Sequence, residues 1–102
     1  MKNIKELTDN IKDELHDAKK YAKLALAYKD SRTRLAVLYD TLSRQEMDHM
    51  TALHKEVMME IEEYRRDHGD PPPAMQARYD ILHEMFIEKS EKVKRLQAMF
   101  RE

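Results

Sequence analysis

In the stretch "LSRQEMDHMTALHKE", Leu42 to Glu56, Glu46 and His49 stand three residues apart. On a helix, side chains at that spacing reach the same point in space. Both fall within a series spaced by three and four: Leu35, Leu38, Leu42, Glu46, His49, Leu53, Val57, Ile61 and Tyr64. An earlier series, Ile4, Leu7, Ile11, Glu14, Ala18, Tyr21, Ala25 and Tyr28, is interrupted once, by Glu14. Such spacing marks one face of a helix. A lone carboxylate on that face is costly to bury, whereas carboxylates gathered around a cation are neutralised by it. Oxygen and imidazole donors without a thiolate suit iron or manganese. Glu14, Glu46 and His49 are therefore candidate metal ligands. Tyr21, seven residues after Glu14 on the same stripe, brings a hydroxyl that needs a partner when buried, and a ligand carboxylate would serve.

The Glu-x-x-His spacing is weak as an isolated signal. Asp13-x-x-His16 and Asp80-x-x-His83 have similar form, and both read as incidental. His16 lies two residues, about 200° of helix, from Glu14, and His83 sits beside the stripe of its own helix. What carries the reading is the conjunction of three interruptions with the elements that must position them. "KDSRTR", from Lys29, breaks the periodicity and places a turn near residues 29–31, with Asp30 or Ser31 able to cap the helix that follows. Asn3 followed by Glu6 has the form of a capping box for the first helix. Glu14 lies about sixteen residues before the turn and Glu46 about as many after it. At ~1.5 Å per residue both sit roughly 24 Å from the turn. In an antiparallel hairpin the interruptions of the two stripes fall at one height on facing surfaces.

The second helix should end near His68, with Gly69, the only glycine, as the residue beyond its end. "DPPP", Asp70 to Pro73, makes a rigid corner. A third helix over about Ala74 to Phe100 carries Met75, Tyr79, Leu82, Phe86, Val93, Leu96 and Phe100. The expected organisation is a helical hairpin over residues 1–68, a proline corner at 69–73 and a C-terminal helix over 74–102 for packing or oligomerisation. The fold class is all-α.

Composition agrees. The 102 residues include one glycine, three adjacent prolines, no cysteine and no tryptophan, and 38% are charged. This suits long helices. Without cysteine there are no disulfides, zinc–thiolate sites or iron–sulfur clusters. A formal net charge of −1 with both signs interspersed gives no reason to expect nucleic acid. No apolar run approaches the roughly 20 residues of a membrane span. "MKNIKELTDN" lacks the apolar core of a signal peptide, so a cytoplasmic location is expected. Glu56, Glu60, Glu62 and Glu63 read as a solvated face, and the eight methionines as core or subunit-contact residues.

"ELHDAKKY", with Glu14 and Tyr21, and "EMDH", with Glu46 and His49, resemble the ferritin-like di-iron superfamily, closest in pattern to rubrerythrin-like proteins and the encapsulated ferritins. The resemblance covers roughly the first 65 residues. A site of this type needs a Glu from each of two helices and Glu-x-x-His from each of two others, and this chain supplies one such half. The resemblance implies a homodimer or higher homo-oligomer, in which two hairpins form a four-helix bundle with two iron ions between subunits, manganese being the alternative metal. It implies ferroxidase activity for iron handling or detoxification, with Glu46 bridging, His49 and Glu14 ligating, and Tyr21 hydrogen-bonded to a carboxylate and assisting electron transfer. It also brings in an encapsulating protein shell as a further partner, and a protein compartment as a location. The competing reading is a non-enzymatic helical assembly or adaptor protein, in which the buried polar groups lock the register.

Overall fold

A computed structural model describes residues 2–102, with side chains from Asn3 onward. Three helices follow one another: α1 (Lys2–Tyr28), α2 (Thr33–His68) and α3 (Pro73–Arg101). The 36 residues of α2 span ~54 Å at 1.5 Å per residue, which accounts for the 55 × 17 × 17 Å envelope of the molecule. α1 and α2 form the antiparallel hairpin. α3 folds back along it, antiparallel to α2. Three contacts fix its course: the Arg65 guanidinium donates to Gln76 Oε1 (3.3 Å), Gln97 Nε2 donates to Ser43 Oγ (2.9 Å), and Lys29 Nζ donates to the Met99 carbonyl (3.3 Å).

The buried face of α1 is wider than its periodicity suggests. Ile11, Ala18 and Ala25 are buried as the stripe requires, but so are Thr8, Leu15 and Ala22, a second three–four series sharing the same centre. Glu14, Tyr21 and Tyr28 on the opposite flank are only half-buried. The cause is α3, which packs against α1 and covers the Thr8–Leu15–Ala22 flank. On α2 the buried positions Ala36, Ser43, Met50 and Val57 recur every seventh residue, with Ile61 one turn further on; seven is the interval that keeps a helix seam facing its partners. Leu38, assigned to the core by its spacing, is 52% exposed. Leu38 and the Glu14, Tyr21 and Tyr28 members of the predicted stripes thus lie along the open edge of the hairpin.

Small residues fill the half of the hairpin near the turn, where Ala18, Ala22, Ala25, Ala36 and Ser43 are all buried. Larger ones, Ile11, Leu15, Met50, Val57 and Ile61, fill the far half. Ser43 is wholly buried yet satisfied: its hydroxyl donates to the Ala18 carbonyl (2.7 Å) and accepts from Gln97 (2.9 Å). One small hydroxyl thereby joins all three helices at one level. The helix ends depart from the expected caps. Asn3 lies inside α1, and Arg32, with no side-chain cap, occupies the N-cap of α2. Asp30 and Ser31 belong to the turn, where the Ser31 and Arg32 amides already bond the Tyr28 carbonyl. Gly69 does end α2: its φ of +81° disfavours any side chain, and its amide bonds the Arg65 carbonyl at 2.9 Å. Among the described residues, no helix is long and apolar enough to cross a membrane.

Candidate metal centre

The hairpin brings Glu14, Glu46 and His49 together. One ligand atom from each lies within 4.8 Å of the others, so the level placement read from the turn holds. His49 Nδ1 is 3.4 Å from Glu14 Oε2. Because a carboxylate only accepts, the imidazole nitrogen there carries the proton and donates it. That proton is what a metal ion would replace.

The three groups fit a metal in donor type and spacing. At bond lengths near 2.1 Å, neighbouring ligand atoms of a tetrahedral or octahedral ion stand about 3.0–3.4 Å apart, and opposed ones about 4.2 Å. The Glu14–His49 separation lies in the first range. The full spread of the cluster exceeds the second by little more than a rotamer adjustment. Two carboxylates and one imidazole leave an ion short of ligands, so the single chain offers an incomplete site.

Exposure distinguishes this cluster from a core polar pair. The His49 side chain is 61% exposed and that of Glu14 26%. Both stand on the flank of the hairpin that α3 does not cover. Tyr21 shares this flank, but its ring stacks on Tyr39 (centroids 6.0 Å apart, planes at 20°), and Tyr39 stacks in turn on Tyr28 (6.1 Å). Among the described residues, Tyr21 makes no hydrogen bond to Glu14 or Glu46. Seven residues of helix, ~10.5 Å of rise, separate it from Glu14, so within one chain the expected bond does not form.

Two histidines that the spacing left without a role meet between α2 and α3. His54 Nε2 and His83 Nδ1 are 3.3 Å apart. The His54 ring lies against Phe86, and the His83 ring against Tyr79. Burial, with the neighbouring His83 second, holds the pKa of His54 below its usual value. The signal available in the sequence was position: His54 precedes Val57 by three and follows Met50 by four, which puts it at the edge of the buried seam. His16 and His68 are exposed; Glu56, Glu62 and Glu63 are exposed as a solvated face requires, whereas Glu60 is half-buried.

No protein-family model, no curated protein and no solved structure matches this chain.

Proposed function

We propose that the chain is a ferritin-like ferroxidase whose di-iron site is completed by a second copy of itself, the two hairpins forming a four-helix bundle. One observation carries this reading: Glu14, Glu46 and His49 converge within 4.8 Å on the flank that the chain leaves open. A buried register lock would be enclosed by its own chain, whereas half a metal site must face its other half. In the proposed dimer, Glu14 and Glu46 of each chain would supply carboxylate oxygens, and His49 an imidazole nitrogen, to hold two Fe(II) ions. Tyr21 then faces the carboxylates of the mate across the interface, a hydrogen bond its own chain does not offer.

The iron is substrate. Two Fe(II) ions each lose one electron, and dioxygen takes both electrons and two protons to become hydrogen peroxide. With peroxide as oxidant, the same two electrons and two protons yield two waters. The work of the chain is to hold the ions together and to accept and release protons at the carboxylates as charge builds. The reading places the protein in iron handling, free in the cytoplasm or held inside a protein shell.

An anaerobic Fe(II) titration of the metal-free protein tests this. About one iron per chain is expected, two per dimer, followed by oxidation when oxygen is admitted, with both lost in the Glu46→Ala, His49→Ala double variant. Absence of saturable binding would overturn the proposal. The contact between His49 and Glu14 at 3.4 Å favours the second reading in that event: a helical assembly module whose polar groups set register. Stoichiometric Mn(II) binding without Fe(II) oxidation would instead mark a manganese site.

A further inference from the structure

We propose that the trough between the first halves of α1 and α3 binds a free long-chain carboxylate. The trough has a volume of about 800 Å³, within the roughly 300–1,000 Å³ of small-molecule sites. Its floor is apolar: Ile4, Ile61, Met75 and Leu82. Water over such a floor is unfavourable, and an acyl chain laid along it removes apolar area from water at about 25 cal/mol per Å².

The rim has the charge that such a ligand needs. Lys5 and Lys12 stand on the α1 wall and Arg78 on the α3 wall, against the single carboxylate of Asp9. Three cations and one anion give the trough +2 on a chain whose net charge is −1. Lys5 and Lys12 are a heptad apart and share a helix face. Among the described residues, ion pairs join Arg44 to Asp40, His49 to Glu14, Arg65 to Glu62, Arg66 to Asp67 and Lys92 to Glu88. None engages Lys5, Lys12 or Arg78. An apolar floor between unpaired cations on opposing walls matches an anionic amphiphile, and the anion would draw its charge-assisted bonds from both helices.

The shape selects the source. Two helices wall the trough, so it admits a single chain, whereas a bilayer docks on an apolar face that projects outward. At its inner end the trough shares Thr8, Tyr79 and Leu82 with the small cavity lined by His54, His83 and Phe86, an aromatic stop for the end of an acyl chain. The site is separate from the metal centre: Lys5 and Glu14 are nine residues apart, about 180° around α1.

The test is displacement of a fluorescent long-chain carboxylate from the full chain by dodecanoate, below its micelle concentration. Dodecanoate should displace the probe, while dodecanol and dodecyltrimethylammonium at equal concentration should not. The Lys12→Glu, Arg78→Glu double variant, at two exposed positions, should weaken binding about tenfold or more at unchanged helix content. Met75→Trp, which fills the floor, should also weaken it. The competitor comparison reads the wild-type chain and needs no variant to fold. Failure of dodecanoate to displace, equal competition by the alcohol or the ammonium amphiphile, or binding to anionic vesicles without binding to monomeric dodecanoate would each overturn the proposal.

Discussion

Replacing His49 by Ala separates the metal-site reading from a structural role, because the two assign its imidazole opposite values. The imidazole is 61% exposed and its one polar contact, to Glu14, is long at 3.4 Å. Such an exposed pair is worth about 0–1 kcal/mol. His49→Ala should therefore move the melting temperature of the metal-free protein by no more than about 4–8 °C, the shift that 1 kcal/mol produces in a domain of this size. Metal changes the arithmetic. An ion present at a hundred times its dissociation constant stabilises the folded state by about 2.7 kcal/mol, which should raise the melting temperature of the wild-type chain by roughly 10–20 °C. In His49→Ala that rise should vanish. The assay is thermal unfolding followed by circular dichroism, with and without Mn(II) as an air-stable probe and with Fe(II) under anaerobic conditions. A large loss of stability in the metal-free variant, or a metal-induced rise that survives it, would refute the assignment of His49 as a ligand.

The other consequences concern the frame that holds the site. Ser43→Ala removes the hydroxyl that bonds both Ala18 and Gln97, and it should cost about 1–3 kcal/mol in urea denaturation, since the buried bonds lose their partner. Arg32→Asp supplies the side-chain cap that α2 lacks; a gain of about 0.5–2 kcal/mol is expected, and no gain in chemical denaturation would mean that the turn geometry excludes the cap. His54 has its pKa lowered by burial and by His83, so below about pH 6.5 the unfolded chain takes up a proton that the folded chain resists. Stability from this group is complete above that pH and falls as the pH drops through it, until His54 is protonated in the folded state too. Urea midpoints at pH 7.5 and pH 5 should show the loss, and His54→Phe should reduce it.

The sequence made the three helices and the Gly69 end of α2 legible because their signals are local. Gly69 and the three prolines punctuate the chain once, and each apolar series keeps its period over several turns. The level placement of Glu14, Glu46 and His49 was also legible, since it needs only a turn position and a rise per residue. The buried flank was not. Leu7, Glu14 and Tyr21, and equally Thr8, Leu15 and Ala22, make a three–four series with Ile11, Ala18 and Ala25. Local periodicity does not choose between them; the choice belongs to α3, which arrives from some seventy residues away. For the same reason the His54–His83 contact was out of reach, because it depends on the register of α3 against α2. Arg32 at the N-cap shows the converse: a residue with poor local preference sits there because the packing of two helices fixes where the turn must close.

In the proposed dimer, the open flank joins metal binding to association. Two hairpins meeting there bring Glu14 and Glu46 from each chain to one place, four carboxylates in all, and without a cation their mutual repulsion opposes the contact. Two Fe(II) ions carry four positive charges and cancel them. Leu38, more than half exposed in the single chain, offers apolar surface for the same contact, and so stands to gain once the charge is neutralised. The two equilibria are then coupled, and the coupling is reciprocal: metal tightens the dimer as much as dimerisation tightens the metal. Sedimentation at fixed protein concentration should show the metal-free chain shifted towards monomer, and Mn(II) or anaerobic Fe(II) shifting it towards dimer. In Glu14→Gln, Glu46→Gln the repulsion is gone, so the dimer should form without metal and cease to respond to it. A metal-independent dimer in the wild type, or a metal response that persists in the double variant, would separate the two equilibria and remove the reason for placing the site between chains.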